Sequence, residues 1–240
     1  MNFRKNTFFI LLFTLTLNIF SQIKSGKVTY ERRTNLFKKF KDSDTKDWLG
    51  EANKNKIDIF ELFFNDTASA FKPQESELRD RMDWATAKNI VYQNFNSRRK
   101  FTIKSLWGEA LPIKDTLLIR KWKMTDASRK IAGYNCRKAV CKINDTTRIY
   151  AWFAQELEAS TGPESFNGLP GVILGLATED GGVVYFAKKV EVIKPDLATI
   201  APAKTKGKIY TEKELRARMV KEYGKEKWGK DMIKSFFDVW

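Results

Sequence analysis

Five acidic residues lie close together on either side of one short turn, and they are the first candidates for catalysis. They are Glu156, Glu158, Glu164, Glu179 and Asp180. On an extended strand, Glu156 and Glu158 would share one face about 7 Å apart, a spacing at which two carboxylates can hydrolyse a glycosidic bond. Loop carboxylates in a highly charged chain are usually solvated, so a carboxylate-dependent hydrolase is kept as an alternative interpretation.

Histidine is absent from the 240 residues, and this absence restricts the chemistry that the chain can perform. Ser-His-Asp and Cys-His nucleophilic sites, zinc sites built on histidine and haem with a histidine ligand are all excluded. An enzyme of another kind would rely on carboxylate, lysine, tyrosine or cysteine chemistry. We expect no catalytic residues, no metal site and no cofactor.

Cys136 and Cys141 are the only cysteines of the chain. Five steps along a strand place their Cα atoms roughly 16 Å apart, whereas a disulfide needs about 4.4 to 6.8 Å. Two buried thiols are the favoured interpretation. A disulfide made possible by a bulge or a bend is the alternative.

A rigid turn connects an aromatic stretch to an apolar one. Pro170 fixes its own φ and extends Leu169, while Gly171 can adopt the positive φ of a type II turn. Gly168 suits an unusual backbone angle or the close approach of another segment. The aromatic residues nearby either fill a core or line an apolar pocket. In the second case, the residues that bind a ligand or partner are Trp152, Phe153, Phe166, Gly168, Leu169, Pro170 and Gly171.

The order and spacing of several motifs resemble those of the GLPGLI family, which are secreted proteins of Bacteroidota-type bacteria. The motifs are Trp122, residues 130–139, Ala151-Trp152-Phe153, Gly162-Pro163 and Gly168-Leu169-Pro170-Gly171. The chain departs from the family pattern at Val172, at Ala154-Gln155 and at Glu164. The resemblance implies a secreted protein without an assigned activity. Residues 130–136 also resemble periplasmic half-barrels of the lipoprotein-carrier type, which implies an apolar concave face.

Turn-forming residues recur about every ten residues, which is typical of an antiparallel meander. Two short amphipathic helices are predicted after the strands, the first beginning at a capping box formed by Thr211 and Glu214. We predict a mainly β fold, a β-rich α+β protein with a strongly curved antiparallel sheet or open barrel and a C-terminal pair of short helices. The predicted strands are 27–31, 57–64, 69–71, 90–95, 101–106, 117–124, 130–143, 148–153, 172–178 and 183–193.

The chain begins with Arg4 and Lys5 before an apolar run from Phe8 to Phe20, a pattern typical of a signal peptide and too short to cross a bilayer. We predict a signal peptide over residues 1–21 and an antiparallel β domain carrying the turn over 22–195. Residues 196–240 are predicted to be a linker and amphipathic helices packed on the sheet. No cysteine lies directly after the apolar run, so we expect a periplasmic or extracellular protein that is not a lipoprotein.

The formal net charge is +15, and removal of Arg4 and Lys5 leaves 15 − 2 = +13. A lipid, an anionic membrane surface or an outer-membrane protein is therefore a possible partner, whereas nucleic acid is not expected outside the cytoplasm. The last helix either contacts a membrane peripherally or packs on the sheet. The lysines that favour membrane contact are Lys225, Lys227, Lys230 and Lys234.

Taken together, the residues and the resemblance predict a non-catalytic secreted or periplasmic protein of the cell envelope. It would act as a binding or accessory protein, holding an apolar ligand or a partner segment in a groove beside the Gly-Leu-Pro-Gly turn. A structural subunit of an outer-membrane assembly is the second interpretation, and the carboxylate-dependent hydrolase is the third. The oligomeric state does not follow from the sequence.

Overall fold

The computed structural model describes residues 22–76, 80–145, 147–202, 204–205 and 207–238. The predicted signal peptide, residues 1–21, lies outside the described residues. The strands are β1 Gly26–Asn35, β2 Asn55–Phe64, β3 Ala68–Pro73, β4 Ile90–Asn94, β5 Arg99–Leu106, β6 Glu109–Thr116, β7 Lys123–Ile131, β8 Tyr134–Lys142, β9 Arg148–Ala154, β10 Val172–Thr178 and β11 Val183–Glu191. The α-helices are α1 Leu36–Lys39, α2 Ser43–Leu49, α3 Leu197–Ile200, α4 Glu212–Tyr223 and α5 Lys227–Phe237.

The eleven strands form one antiparallel sheet in the order β6-β5-β4-β3-β2-β1-β11-β10-β9-β8-β7. Strands β6 and β7 are its two edges, so the sheet is not closed among the described strands. Strands that follow each other in the chain pair with each other except β6 and β7, and β1 pairs with β11 as well as with β2. The prediction of a mainly β antiparallel fold is confirmed.

Alternation of side chains explains how the central strands position their residues. In β1, Val28, Tyr30, Arg32 and Thr34 are buried, and the residues between them are less buried. This period of two places one face of the strand against the core. Strand β10 is buried on both faces from Val172 to Ala177, in keeping with its continuous apolar sequence.

Two hairpin boundaries differ from the prediction. The strand predicted over 117–124 is wrong, because β6 ends at Thr116 and residues 117–122 form a loop. The strand predicted over 130–143 is also wrong, because the chain turns at Ala132 and Gly133, whose φ values are 47° and 92°. Two successive positive φ values define a tight hairpin turn of type I′, and β7 and β8 pair on either side of it.

The two C-terminal helices pack against edge strand β6. The capping box is confirmed, because Thr211 and Glu214 satisfy each other's backbone N–H groups at the start of α4. Helix α4 ends at Tyr223, and Gly224 is its C-cap. An apolar cluster joins the helices to β6 through Leu111, Ile113, Leu215, Met219 and Ile233. Among the described residues, no helix has the length and apolar character needed to cross a bilayer.

The Gly-Leu-Pro-Gly turn is tighter than the predicted type II turn. The N–H of Gly171 donates to the carbonyl of Leu169 at 2.9 Å, which closes a three-residue turn around Pro170. Gly171 has a φ of 145°, and a Cβ there would lie 2.1 Å from the carbonyl oxygen of Ala154. Gly168 has a φ of 92°, and a Cβ there would lie 2.5 Å from the carbonyl oxygen of Arg120. Both glycines therefore combine an unusual angle with a close backbone approach.

Gly171→Ala is expected to destabilise the protein by about 2 kcal/mol or more, because the new Cβ adds a backbone clash to an unfavourable φ. Urea unfolding measures the difference. Gly181→Ala is the matched control, since Gly181 has a φ of 67° and open space around it. The control should lose only about 1 kcal/mol from the left-handed conformation. Equal losses in the two variants would contradict the clash.

Both cysteines are free and buried, which confirms the two thiols predicted in β8. Burial raises the pKa of Cys136 to about 12. Because the thiolate is the reactive form, we expect no labelling of the native protein at neutral pH by a thiol reagent and two labelled thiols after unfolding in guanidinium. Rapid labelling of the folded protein, or fewer than two thiols after unfolding without reductant, would contradict this expectation.

Candidate functional site

A cleft of about 890 Å³ opens where the ends of several elements meet. Its walls come from the end of β1 with α1, residues 83–89, the β5–β6 turn, the β10–β11 turn and α5. Glu164 is the one buried carboxylate among the described residues that line it. We call this site the Glu164 cleft.

Glu164 is held in an unusual conformation inside the protein. Its side chain is only 6% exposed, and its φ of 55° lies in the left-handed region that a non-glycine residue seldom adopts. The hydroxyl of Tyr185 donates to Oε1 at 2.8 Å, and Nδ2 of Asn89 donates to Oε2 at 3.3 Å. Backbone strain of this kind is concentrated at functional sites, where the surrounding structure has to maintain it.

Burial raises the pKa of Glu164, although the charge of Arg32 and the hydrogen bonds from Tyr185 and Asn89 act in the opposite direction. The desolvation of the charged form is therefore the dominant effect. A carboxyl group with a raised pKa keeps its proton at higher pH than an exposed one. This property is the one required of a general acid.

A second buried carboxylate, Asp58, has the opposite environment. Arg32 contacts its Oδ2 at 2.7 Å, Lys56 contacts its Oδ1 at 2.8 Å, and the hydroxyl of Thr86 donates to Oδ2 at 2.8 Å. Burial would raise the pKa of Asp58, but these cations and hydrogen bonds outweigh it and hold the pKa below its ordinary value. The environments of Asp58 and Glu164 thus separate their pKa values, which is how two carboxyl groups acquire different roles in acid–base chemistry.

The strand register brings these groups together. Arg32 in β1 lies opposite Asp58 in β2 and opposite Tyr185 in β11. Nη1 of Arg32 also lies 3.5 Å from the Tyr185 hydroxyl, and the Arg32 guanidinium lies 4.6 Å from the ring centre of Phe60. One row across three strands therefore carries a continuous polar connection from Asp58 through Arg32 and Tyr185 to Glu164.

Exposed aromatic rings line the mouth of the cleft. Trp84 is 57% exposed and packs beside Phe40, with ring centres 5.5 Å apart. Trp107 is 68% exposed, and its ring contacts Tyr223 at 5.2 Å. Trp107 and Gly108 have φ values of 51° and 86°, so a bulky residue occupies a type I′ turn position that usually carries Asn or Asp. Exposed indole faces are suited to the apolar faces of sugar rings.

The residues predicted from the turn lie partly in the core, and none of them lies in this cleft. Phe153 and Phe166 are fully buried, Leu169 is 1% exposed, and Trp152 is half-buried. Gly168 and Pro170 are exposed, and Gly171 is buried. Leu169 is part of the core because the loop that carries it folds against the sheet. None of the seven lines the Glu164 cleft, and as ligand contacts they stay a prediction.

The five acidic residues named from the sequence separate into different environments. Strand β9 ends at Ala154, so Glu156 and Glu158 do not share a strand face as expected. Glu179 contacts Arg148 at 3.1 Å on the surface. Only Glu164 and Asp180 line the cleft. Sequence reasoning therefore named Glu164 without its partners.

The comparisons with known proteins concern glycanases. Residues 44–213, more than half of the chain, match the model of the family described as "N-glycanase peptide, N-terminal domain". Two solved structures of PNGF-II, in space groups C2 and P21, each superpose with a TM-score of 0.54 and 18% sequence identity. Each match covers 78% of this chain and 31% of the PNGF-II chain, so this chain spans under a third of that protein. A comparison with curated proteins finds no match.

The family match corrects three predictions. The GLPGLI family is wrong, because the matched family is that of N-glycanase N-terminal domains. The same finding overturns two further predictions, namely that the protein is a non-catalytic binding or accessory protein and that it is not an enzyme. The Gly-Leu-Pro-Gly turn misled the interpretation because it reflects a local need for close backbone approach to Ala154 and Arg120. A need of that kind does not identify a family.

Glu164→Gln tests the raised pKa. The folded protein holds the Glu164 proton more tightly than the unfolded chain, so this contribution to stability is complete below about pH 4.3, the ordinary carboxyl pKa, and is lost as pH rises through the raised pKa. Over that range the free energy of unfolding of the wild type should fall relative to Glu164→Gln, as measured by urea unfolding at a series of pH values.

The control for this experiment is Glu158→Gln, which removes an exposed carboxylate from the same loop. Its stability should follow the wild-type pH profile. Parallel profiles for the wild type and Glu164→Gln would show that Glu164 titrates normally, and the assignment of a proton to it would be wrong.

Proposed function

This chain belongs to the N-glycanase peptide, N-terminal domain family, and from this membership we propose that it acts in the release of N-linked glycans from peptides. The observation that carries the proposal to a site is the Glu164 cleft, where a buried carboxyl group with a strained backbone and a raised pKa shares the lining with two exposed tryptophans. The match covers 31% of the PNGF-II chain, so the activity is proposed for this chain and is not carried over from PNGF-II. The strands and turns around the cleft would engage the glycosylated substrate.

The bond to be broken is the side-chain amide bond of asparagine, between the amide carbon and the nitrogen that carries the sugar. Hydrolysis adds a water oxygen to the amide carbon, breaks the carbon–nitrogen bond and releases the sugar as an amine, while the asparagine becomes aspartate. The leaving nitrogen has to gain a proton as the bond breaks. Glu164 is assigned as the donor because burial raises its pKa and so favours the protonated form, and water would replace the proton afterwards.

Asp58 and Arg32 have positioning roles in this proposal. Arg32 is 3% exposed and is fixed by Asp58 and by the carbonyl of Ala87, to which Nη1 donates at 2.7 Å. The fixed guanidinium lies next to the Tyr185 hydroxyl, which in turn donates to Glu164. Its positive charge limits how far burial raises the pKa of Glu164, so that the proton is transferable.

The curvature predicted for the sheet is part of the proposal. Thr161 accepts from the N–H of Ile173 in β10, while its hydroxyl lies 2.8 Å from that of Ser69 in β3. Four strand spacings separate β3 from β10, which is about 19 Å in a flat sheet. Strong curvature accounts for this short connection and places Glu164 inside the fold.

We also propose the predicted domain division at residue 195 and export through the signal peptide, since an exported enzyme can reach glycoproteins outside the cell.

Glu164→Gln is expected to abolish glycan release while leaving glycopeptide binding within about threefold of the wild type, because only the proton is removed. The assay uses an N-glycosylated peptide, with mass spectrometry to detect conversion of asparagine to aspartate and calorimetry to measure binding. Trp107→Ala should weaken binding by at least about tenfold, since an exposed stacking ring is lost.

Trp228→Ala is the matched control for Trp107→Ala. Trp228 is 56% exposed and does not line the cleft, so its loss should leave binding unchanged. Unchanged binding in Trp107→Ala would overturn the cleft as the substrate site. Full release of glycan by Glu164→Gln, or binding without release by the wild type, would overturn Glu164 as the proton donor.

A further inference from the structure

A second cleft, also of about 890 Å³, lies on another part of the sheet. It is formed by the outer side of β4, β5 and β6 together with α3 and the connection that follows it. No residue lines both this cleft and the Glu164 cleft. We call it the β4–β6 cleft, and nothing in the proposed function uses it.

The charges around the β4–β6 cleft all have one sign. Arg99, Lys100, Lys114 and Lys204 line it, and no aspartate or glutamate is among the described lining residues. Within the part of the chain that the structure describes, none of these four cations takes part in an ion pair. Asp115 is the pairing neighbour of Lys100 across β5 and β6, but its carboxylate accepts from the N–H of Glu212. The cleft therefore carries a concentrated positive potential.

Beside polar residues such as Gln93 and Asn94, the lining contains aromatic and aliphatic side chains. Tyr92 in β4 and Phe101 in β5 are opposite each other in the sheet, with ring centres 6.4 Å apart. Helix α3 adds Ile200, which is buried, and Leu197, which is 77% exposed. Long apolar side chains are seldom left this exposed beside an open cavity unless another apolar surface covers them.

Backbone hydrogen bonds fix one wall of the cleft to the sheet. The N–H of Lys114 donates to the carbonyl of Tyr210 at 2.8 Å, and the N–H of Tyr210 donates to the carbonyl of Pro112 at 3.0 Å. These bonds fasten the end of the connection to edge strand β6. At the beginning of the connection, helix α3 packs on β2 and β3. The apolar wall and the cationic strands are therefore fixed relative to each other.

We propose that the β4–β6 cleft binds a single-chain anionic amphiphile of the fatty-acid class. A small inorganic anion would leave the aromatic and aliphatic wall in water, and a neutral hydrocarbon would leave the four cations without a counter-charge. An acyl chain over Tyr92 and Phe101, with its carboxylate between Arg99 and Lys114, whose positions lie on the same face of the sheet as the two rings, satisfies both parts of the lining. The volume lies within the range of about 300 to 1,000 Å³ that small-molecule sites occupy.

The proposal is tested with the full chain and three soluble probes, each measured by calorimetry below its micelle concentration. Laurate has the acyl chain and the negative charge, dodecyltrimethylammonium has an equally long chain with a positive charge, and acetate has the carboxylate alone. We expect laurate to bind at one molecule per chain, with affinity that falls in 1 M salt because the charges are screened. The other two probes should not bind detectably.

A double variant locates the site. Arg99→Glu with Lys114→Glu should weaken laurate binding by at least about tenfold, because attraction to the carboxylate becomes repulsion. Lys130→Glu, an exposed lysine at the opposite edge of the sheet, is the matched control and should bind laurate normally. If the double variant does not fold by circular dichroism, Arg99→Gln with Lys114→Gln replaces it and should also weaken binding.

Four results would overturn the proposal. Equal binding of dodecyltrimethylammonium would mean that only the apolar wall acts, and equal binding of acetate would mean that only the cations act. Normal laurate affinity in the folded double variant would place the ligand elsewhere. Binding to phosphatidylglycerol vesicles without binding to laurate would identify a membrane surface in place of a single amphiphile. Glycan release does not enter any of these readouts, so this inference and the proposed function succeed or fail separately.

Discussion

An irregular segment, residues 155–171, lies against the apolar face of the sheet, and its polar groups have to be hydrogen-bonded there without water. Unpaired backbone groups in such a place would cost several kcal/mol in total, at about 1 to 3 kcal/mol each. The strands therefore carry polar residues at buried positions. Ser69 and Gln93 both contact the Thr161 hydroxyl, at 2.8 and 3.1 Å, and Nδ2 of Asn167 donates to Gln93 at 3.4 Å.

The same requirement fixes the outer side of the segment. Nε1 of Trp122 donates to the carbonyl of Asn167 at 2.8 Å, and Nδ2 of Asn167 donates to the carbonyl of Leu118 at 3.0 Å. Residues 117–122 are thus held over the segment as a loop and cannot form the strand predicted for them. With both sides fixed, the segment can maintain the positive φ of Glu164 and bury its carboxyl group. The chemistry assigned to the cleft depends on this support.

The local features of the fold could be predicted from the sequence because each has a short-range cause. The hairpin at Asp180-Gly181-Gly182 and the capping box at Thr211 follow from the conformational preferences of neighbouring residues. The turn at Ala132-Gly133 was missed because alanine rarely adopts positive φ, although the glycine after it was a signal. The mainly β fold class could be predicted for the same reason, because it follows from the recurring hairpin turns.

The candidate site could not be predicted because its parts meet through long-range pairing. Arg32, Asp58 and Tyr185 become neighbours only when β1 pairs with β2 and β11, and nothing near Arg32 in the sequence specifies residue 185. Glu164 was considered as one of five acidic residues, but its burial depends on the segment that carries it. The exposed tryptophans at 84 and 107 carried a usable signal, since each stands in a polar stretch where a core residue is not expected.

The pairing of β1 with β11 also has a consequence for the order in which the protein can be made. Strands β1 to β6 pair locally and can assemble as soon as they leave the ribosome, but β1 then has an unpaired edge for the time needed to synthesise more than sixty further residues. Such an edge is a template for pairing with other chains. Because closing a contact over so long a separation is slow, the β1 edge stays open to such pairing until β11 has been made.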